Sequence, residues 1–234
     1  MISVPVRICF FGDSMVNGTG DDACLGWVGR ICASARRSGR DLTCYNLGVR
    51  RDTTADVLAR WQREAEARLP SEHDGRLVFS FGANDCCPGE DIGGVRVAPG
   101  RALANAEAIL TAAVAWRPTL MVGPLPICDA AVDRRTHQLS NDFAALCARL
   151  RVPYLEVFDL AVASDIWARE IAVGDGVHPN EGGYTVIARA VENWAGWRAW
   201  IDRAALTCSA AISMRPATVR MGIRHRGNGM IVAA

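Results

Sequence analysis

The sequence contains no lysine: all 26 of its basic residues are arginine, and 25 acidic residues balance them. The resulting net charge of +1 argues against steering toward nucleic acid or an anionic membrane surface. No apolar run is long enough to span a bilayer. The N-terminus also lacks the succession of charged, apolar and small residues that marks a secretory signal. These absences predict a cytoplasmic protein without a transmembrane segment and without a nucleic-acid partner.

The nine cysteines include no Cys-x-x-Cys pair and none is adjacent to a histidine. A structural metal site is therefore not expected, because such sites bring several cysteine and histidine ligands together at short spacings. Most of the cysteines suit the role of small buried apolar residues in a reducing compartment. We expect neither a metal nor an organic cofactor.

Short apolar runs alternate with amphipathic stretches along the 234 residues, of which 50% are hydrophobic. Strands are predicted at 7–11, 42–46, 77–81, 119–122 and 153–158. Helices are predicted at 25–37, 54–69, 102–116, 137–150 and 181 to about 205. Strands that alternate with helices of this length favour βαβ units around a parallel sheet. The predicted fold class is therefore α/β, a flavodoxin-like three-layer α/β/α sandwich with a central five-stranded parallel sheet.

Two segments do not fit this alternation. Residues 86–100, CCPGEDIGGVRVAPG, form a loop rich in glycine and proline that is long enough to be functional. Residues 207–234 carry four arginines, one histidine and no acidic residue. We therefore assign one domain to residues 1–206 and treat 207–234 as a basic extension. This extension is interpreted as a hairpin, a partner contact (including a homo-oligomer contact) or a frayed tail.

The first predicted strand runs into the segment FFGDSMVNG, in which Gly12, Asp13 and Ser14 follow a buried apolar run. Residues of these types are common in turns, so the segment alone is weak evidence of function. Ligand sites of open α/β sheets, however, lie at the carboxyl ends of the strands. Ser14 is therefore a candidate nucleophile, and it needs a base to activate its hydroxyl group.

The base is best sought among four histidines. A structural role is favoured for the three that lie in a polar turn, at a charged helix start and in the basic extension: His73, His137 and His225. His178 differs, because it lies three residues after Asp175 and directly before Pro179, which favours an extended backbone. This spacing can place the Asp175 carboxylate on Nδ1 of His178 and leave Nε2 for a serine.

Gly48 and Asn84 follow the second and third predicted strands, in YNLGVRRDTT and FSFGANDCC. A glycine can offer an unobstructed backbone N–H group, and the asparagine can offer its side-chain amide. The carboxyl ends of parallel strands meet at one sheet edge, so we expect both donors to converge with the Ser14 N–H group. Such a set forms an oxyanion hole, in which each donor is often worth about 3 kcal/mol in a transition state.

In their order along the chain, the segments around Ser14, Gly48, Asn84 and His178 resemble the four sequence blocks of the GDSL family of SGNH hydrolases. The resemblance extends from residue 7 to about residue 190. It implies a serine esterase or lipase-like acylhydrolase that cleaves small carboxylic esters through an acyl-enzyme on Ser14. His178 would be the base, Asp175 would orient it, and Ser14, Gly48 and Asn84 would form the oxyanion hole.

Other functions remain open at this point. A thioesterase or an acyltransferase on the same site is the main alternative, and a catalytically silent binding domain is a further one. A metallophosphoesterase would need additional histidine and aspartate ligands at the strand ends, and the sequence lacks them.

Arg50 and Arg51 stand where relatives often carry Ser-Gly before Asp-Thr. Two guanidinium groups at this position suit the binding of an anionic group of the substrate. The alternative is that both side chains point to solvent or pair with Asp52 and Asp56.

Overall fold

The computed structural model describes residues 5–91, 94–199 and 201. A five-stranded parallel sheet forms its centre, with the strand order β2-β1-β3-β5-β6. The strands are β1 (Val6–Gly12), β2 (Leu42–Gly48), β3 (Asp74–Ser80), β4 (Pro88–Asp91), β5 (Thr119–Val122) and β6 (Tyr154–Leu155). Strand β4 is short and lies outside this sheet.

Helices cover both faces of the sheet. They are α1 (Ser14–Asn17), α2 (Gly26–Arg37), α3 (Thr54–Glu66), α4 (Pro99–Trp116), α5 (Ala130–Leu150), α6 (Phe158–Val162), α7 (Asp165–Val173) and α8 (Glu181–Asn193). One hydrophobic cluster joins the sheet to α2, α7 and α8, and a second joins it to α3, α4 and α5. The predicted three-layer α/β/α sandwich is confirmed.

The side chains of strand β1 show that the sheet is buried on both faces. Its side chains alternate between the two faces: Phe10 packs edge-on against Trp27 of α2, whereas Phe11 stacks on Phe79 and meets Trp61 of α3. Residues 8–11 are completely buried. A strand buried on both sides reads as a continuous apolar run, which is the pattern seen in the sequence.

The largest differences from the predicted boundaries concern β6, α5 and α8, of which α8 ends at Asn193 instead of about 205. Strand β6 pairs over only two residues instead of the predicted 153–158, because α6 begins at Phe158 and takes the end of that apolar run. Helix α5 begins at Ala130, before the predicted start at 137, because the Asp129 side chain accepts hydrogen bonds from the first N–H groups of the helix.

The short helices α1, α6 and α7 were not predicted. They have 4, 5 and 9 residues, too few for a clear helical pattern of apolar residues. In the described part of the chain, every helix is too short or too polar to cross a membrane. The extension 207–234 and its proposed hairpin lie outside the described residues.

The strand register aligns the ends of the three strands that precede the candidate site residues. Gly12 at the end of β1 pairs with Gly48 of β2 on one side and with Ser80 of β3 on the other. The segments that follow these strands therefore leave the sheet at the same level.

Gly48 lies against the turn that follows β1. A Cβ atom at this position would come within 2.2 Å of the Asn17 backbone N and 2.7 Å of the Asp13 carbonyl O. Only a glycine permits this close approach, so Gly48 fixes the distance between the end of β2 and helix α1.

We expect Gly48→Ala to destabilise the protein by about 1–3 kcal/mol, because the clash involves backbone atoms that cannot rotate away. Gly100→Ala is the matched control, since no atom lies within 4 Å of its Cβ position and the residue is in α4. Alanine there should be neutral or stabilising by about 0.5–1 kcal/mol. Urea unfolding of both variants measures the difference, and equal stabilities would contradict the packing role of Gly48.

Candidate active site

Ser14 is the first residue of helix α1, immediately beyond β1. The Asp13 side chain caps this short helix by accepting a hydrogen bond from the Met15 N–H group at 2.9 Å. The backbone N–H group of the first helical residue has no acceptor within its own helix. At the carboxyl edge of the sheet, Ser14 therefore presents a hydroxyl group and an N–H group that has no partner among the described residues.

His178 connects Ser14 to Asp175. Its Nε2 atom is 2.8 Å from Ser14 Oγ, and its Nδ1 atom is 2.7 Å from Asp175 Oδ2. Ser14 and His178 are each 7% exposed. The structure thus brings together the three residues that the sequence pattern selected as nucleophile, base and orienting acid.

The Asp175 carboxylate is held by its own loop. It accepts hydrogen bonds from the backbone N–H groups of Val177 and His178 at 3.0 and 2.8 Å. Partial burial raises the pKa of Asp175, but the imidazole and these two N–H groups outweigh it and lower the pKa to about 2. The carboxylate is therefore charged at neutral pH, which favours a proton on Nδ1 and leaves Nε2 to accept the Ser14 hydrogen.

Glu170 of α7 fixes the loop that carries His178, and the sequence pattern gave no sign of this role. Its carboxylate accepts hydrogen bonds from the backbone N–H groups of Asn180, Gly182 and Gly183 at 2.8–3.0 Å. These groups belong to the start of α8, where a negative charge is favoured by the helix dipole. Asn180 caps the helix and also donates a hydrogen bond to the Asp22 carboxylate.

Asn84 lies beyond the end of β3 and faces the same edge. One hydrogen of its side-chain amide bonds to the Asp52 carbonyl O at 3.0 Å, which leaves the second hydrogen for another acceptor. The neighbouring Asp85 fixes this turn, because its carboxylate accepts from the N–H and hydroxyl groups of Thr54 at the start of α3.

The structure does not bring Gly48 to the expected oxyanion position. Its N–H group already donates to the Asn46 side-chain Oδ1 at 3.1 Å. Gly48 is also not among the described residues that line the cavity beside Ser14. The expectation for Gly48 is therefore corrected: this glycine is required by close packing against Asn17.

Arg51 lies three residues beyond Gly48, in the segment that follows β2. It lines the cavity and has a φ of 71°, in the left-handed region that arginine seldom adopts. Its carbonyl O accepts a hydrogen bond from Arg96 Nη1 at 2.7 Å. Its N–H group has no hydrogen-bond partner within the described residues.

A cavity of about 300 Å³ opens over these groups. Its wall contains Ser14, His178 and Asn84, together with apolar side chains such as Met15, Ile127 and Val177 and the three arginines Arg50, Arg51 and Arg96. Arg96 comes from the long loop 86–100 and was not singled out in the sequence. The two arginines that were singled out do lie at the cavity.

Two carboxyl groups near the nucleophile are buried: Asp13, which lines the cavity, and Asp85, which does not. Burial raises the pKa of Asp13 to about 7, and the nearby Asp85 and Asp52 add to this rise. Burial likewise raises the pKa of Asp85 to about 6, although its hydrogen bonds from Thr54 act in the opposite direction. Within the described ranges, no group of three or more histidine, cysteine, aspartate or glutamate side chains could hold a metal ion.

Comparisons with known proteins give one family match and several structures of similar fold. Residues 10–186 match the model of the GDSL-like lipase/acylhydrolase family. A lipase/acylhydrolase from Enterococcus faecalis is 21% identical, with a TM-score of 0.66 over 84% of this chain and 96% of that one. An acetylxylan esterase from Geobacillus stearothermophilus is 18% identical, with a TM-score of 0.65 over 81% and 94%. No curated protein matched in a sequence search.

A further structure, an α/β hydrolase from the metagenome of Lake Arreo in Spain, is 21% identical. Its TM-score is 0.66 over 81% of this chain and 94% of that one. At such low sequence identity, these structural similarities are evidence for the fold of this chain alone.

We expect Asp13→Asn to stabilise the protein increasingly as the pH rises. The folded state binds the Asp13 proton more tightly than the unfolded chain, so wild-type stability falls between about pH 4 and about pH 7. Asparagine keeps an oxygen for the Met15 N–H group but never becomes charged. Thermal unfolding should give a gain in Tm that is small near pH 4 and several degrees at about pH 8. An equal gain in Tm at both pH values would refute the raised pKa of Asp13.

Proposed function

The chain belongs to the GDSL-like lipase/acylhydrolase family and is a carboxylic ester hydrolase, and on this premise we propose that it cleaves small esters through an acyl-enzyme on Ser14. The observation that carries the proposal is the unbroken hydrogen-bonded chain from Asp175 through His178 to Ser14. Such a chain has the geometry of nucleophile, base and orienting acid.

In the first half of the reaction, Ser14 Oγ attacks the ester carbonyl carbon while His178 Nε2 takes the hydroxyl proton. The carbonyl oxygen becomes negatively charged in the tetrahedral intermediate. His178 then gives the proton to the departing alkoxide, and the alcohol leaves. Asp175, charged at neutral pH, holds the imidazole ring in position and stabilises the imidazolium that forms between these two transfers.

In the second half, water attacks the acyl group on Ser14. His178 takes a proton from the water and returns it to Ser14 Oγ, so the acid is released and the enzyme is restored. No metal or organic cofactor enters either half of this scheme.

The oxyanion is held by three donors in this scheme: the Ser14 N–H group, the second hydrogen of the Asn84 amide, and the Arg51 N–H group in place of that of Gly48. Support for Arg51 comes from its place on the cavity wall and from its N–H group, which is unpartnered within the described residues. Its left-handed φ of 71° is the backbone conformation that glycine favours, and relatives often carry glycine at this position. The Arg96 and Asn84 hydrogen bonds to the Arg51 and Asp52 carbonyl groups hold this peptide segment in place.

The cavity volume favours a small substrate. At about 300 Å³ it lies at the lower end of the range for ligand sites. We therefore take aryl acetates as the first substrates to test, with acyl-coenzyme A thioesters beside them to separate esterase from thioesterase activity.

Ser14→Ala and His178→Ala should each lower kcat for 4-nitrophenyl acetate by several orders of magnitude. The double variant should be little worse than either single variant, because the residues of a triad act as a unit. A fluorophosphonate probe should label the wild type and leave Ser14→Ala unlabelled.

Ser71→Ala is the matched control for this test, since Ser71 is exposed in a turn outside the cavity. It should be labelled and turn over substrate like the wild type. Turnover by Ser14→Ala at more than a tenth of the wild-type rate would end the acyl-enzyme proposal.

Asn84→Ala should lower kcat by about 10²–10³-fold with little change in KM, because the lost hydrogen bond is strongest to the oxyanion of the transition state. Asn84→Asp keeps the shape but replaces the donor by an acceptor, so it should be at least as impaired. Steady-state kinetics measures both effects, with thermal unfolding as the check on folding. A kcat within threefold of the wild type in Asn84→Ala would remove Asn84 from the oxyanion hole.

A further inference from the structure

Three arginine residues line the cavity that contains Ser14. Arg50 and Arg51 come from the segment after β2, and Arg96 comes from the far side of the turn that follows β4. Arg50 and Arg51 are exposed, whereas Arg96 is half-buried. Residues far apart along the chain thus place like charges around one small opening.

The nearest carboxylates along the chain do not neutralise Arg50 and Arg51. Asp52 instead pairs with Arg60 at 2.7 Å, and Asp56 forms the capping box of α3 with Thr53. Within the described residues, neither Arg50 nor Arg51 forms an ion pair. The interpretation in which they pair with Asp52 and Asp56 is therefore wrong.

The carboxyl groups on the cavity wall are also engaged. Asp175 accepts hydrogen bonds from His178 and from two backbone N–H groups. Asp13 is 3% exposed and bonds to the Met15 N–H group below the nucleophile. Among the described residues, these carboxylates therefore leave Arg50 and Arg51 without an ion-pair partner, whereas Arg96 lies within electrostatic reach of Asp56 and Asp85.

Arg96 is held in a defined place. Its backbone N–H group donates to the carbonyl O of Cys87, the residue before β4, at 2.9 Å. Its Nη1 atom donates to the Arg51 carbonyl O, and a guanidinium group has further N–H donors beyond this one. The hydrogen bond also ties Arg96 to the segment that carries Arg50 and Arg51.

We infer that the cavity selects esters that carry an anionic group, a carboxylate or a phosphate, on the acyl or the alcohol part. The inference rests on the proposed function, because it concerns the substrate of the same site. The guanidinium group matches the oxygen geometry of both anions and binds them through paired, charge-assisted hydrogen bonds. Arg50 is the recognition residue to test first, because it has no part in the proposed oxyanion hole.

Three aryl acetates test this inference, because the same acetyl ester is hydrolysed in each and only the charge of the ring substituent differs. Methyl 4-acetoxybenzoate is neutral, 4-acetoxybenzoate carries a carboxylate, and 4-acetoxyphenyl phosphate carries a phosphate. Each reacts with water to give acetate and a phenol. The measured quantity is the ratio of kcat/KM for an anionic ester to that for the neutral ester. Comparison of the two anionic esters shows which anion is preferred.

Arg50→Ser should lower this ratio about tenfold, as expected for one charge-assisted hydrogen bond, and Arg50→Glu should lower it further. Arg50→Ser/Arg51→Gly, which carries the residues common in relatives and keeps both backbone N–H groups, should lower it more than Arg50→Ser alone. The wild-type ratio should also fall as salt is added, because salt screens exposed charges.

Arg63→Ser is the matched control, because Arg63 is exposed on α3 and lies outside the cavity wall. It should keep the wild-type ratio. If Arg50→Ser and Arg63→Ser give equal ratios while hydrolysis still depends on Ser14, the anion inference fails and the proposed function stands.

A binding measurement separates recognition from turnover. Calorimetry on Ser14→Ala should show tighter binding of 4-acetoxybenzoate than of its methyl ester, and Ser14→Ala/Arg50→Ser should lose most of this preference. Equal affinities for the two esters in Ser14→Ala would overturn the inference even if hydrolysis of every acetate proved independent of Ser14.

Discussion

The hydrogen bond between Ser14 and His178 is the contact on which the site depends. It joins residues 164 positions apart, one at the end of β1 and one in the loop before α8. The 2.8 Å distance requires both segments to be fixed independently. Gly48 and the Asp13 cap fix the first, and the Glu170 carboxylate at the start of α8 fixes the second. The sheet and the α7–α8 pair are thus the support for one short contact.

The layers of the fold and the triad were predictable because they depend on patterns that survive in a single sequence. A strand buried on both faces is a continuous apolar run, and parallel strands bring their carboxyl ends to one edge. Ser14 and Asn84 line the same cavity for this reason. The boundaries of β6 and α5 were less predictable, because they depend on where a helix starts, and the apolar residues of 157–158 suit a strand and a helix equally.

The oxyanion donors show what a single sequence leaves undetermined. Gly48 ends β2 and Arg51 follows three residues later. The N–H group of Gly48 is engaged by a side chain two residues before it, that of Asn46. The conformation of Arg51 in turn depends on Arg96, 45 residues further along the chain. Neither hydrogen bond leaves a pattern of spacing or composition. Glu170 was missed for the same reason, because a glutamate within a helix looks like any solvated residue.

The backbone conformation of Arg51 costs free energy, and this cost bears on the role of its side chain. A left-handed φ costs an arginine of the order of 1 kcal/mol, whereas a glycine adopts it freely. The backbone N–H group would be present with either residue, so the oxyanion hole gains nothing from the arginine. What the side chain adds is a guanidinium group on the cavity wall, beside two others. Strain at a functional site is tolerated where the surrounding structure enforces it, and the hydrogen bonds to the Arg51 and Asp52 carbonyl groups do so here. In the proposed mechanism, the backbone conformation of Arg51 therefore serves the oxyanion, and its side chain serves the choice of substrate.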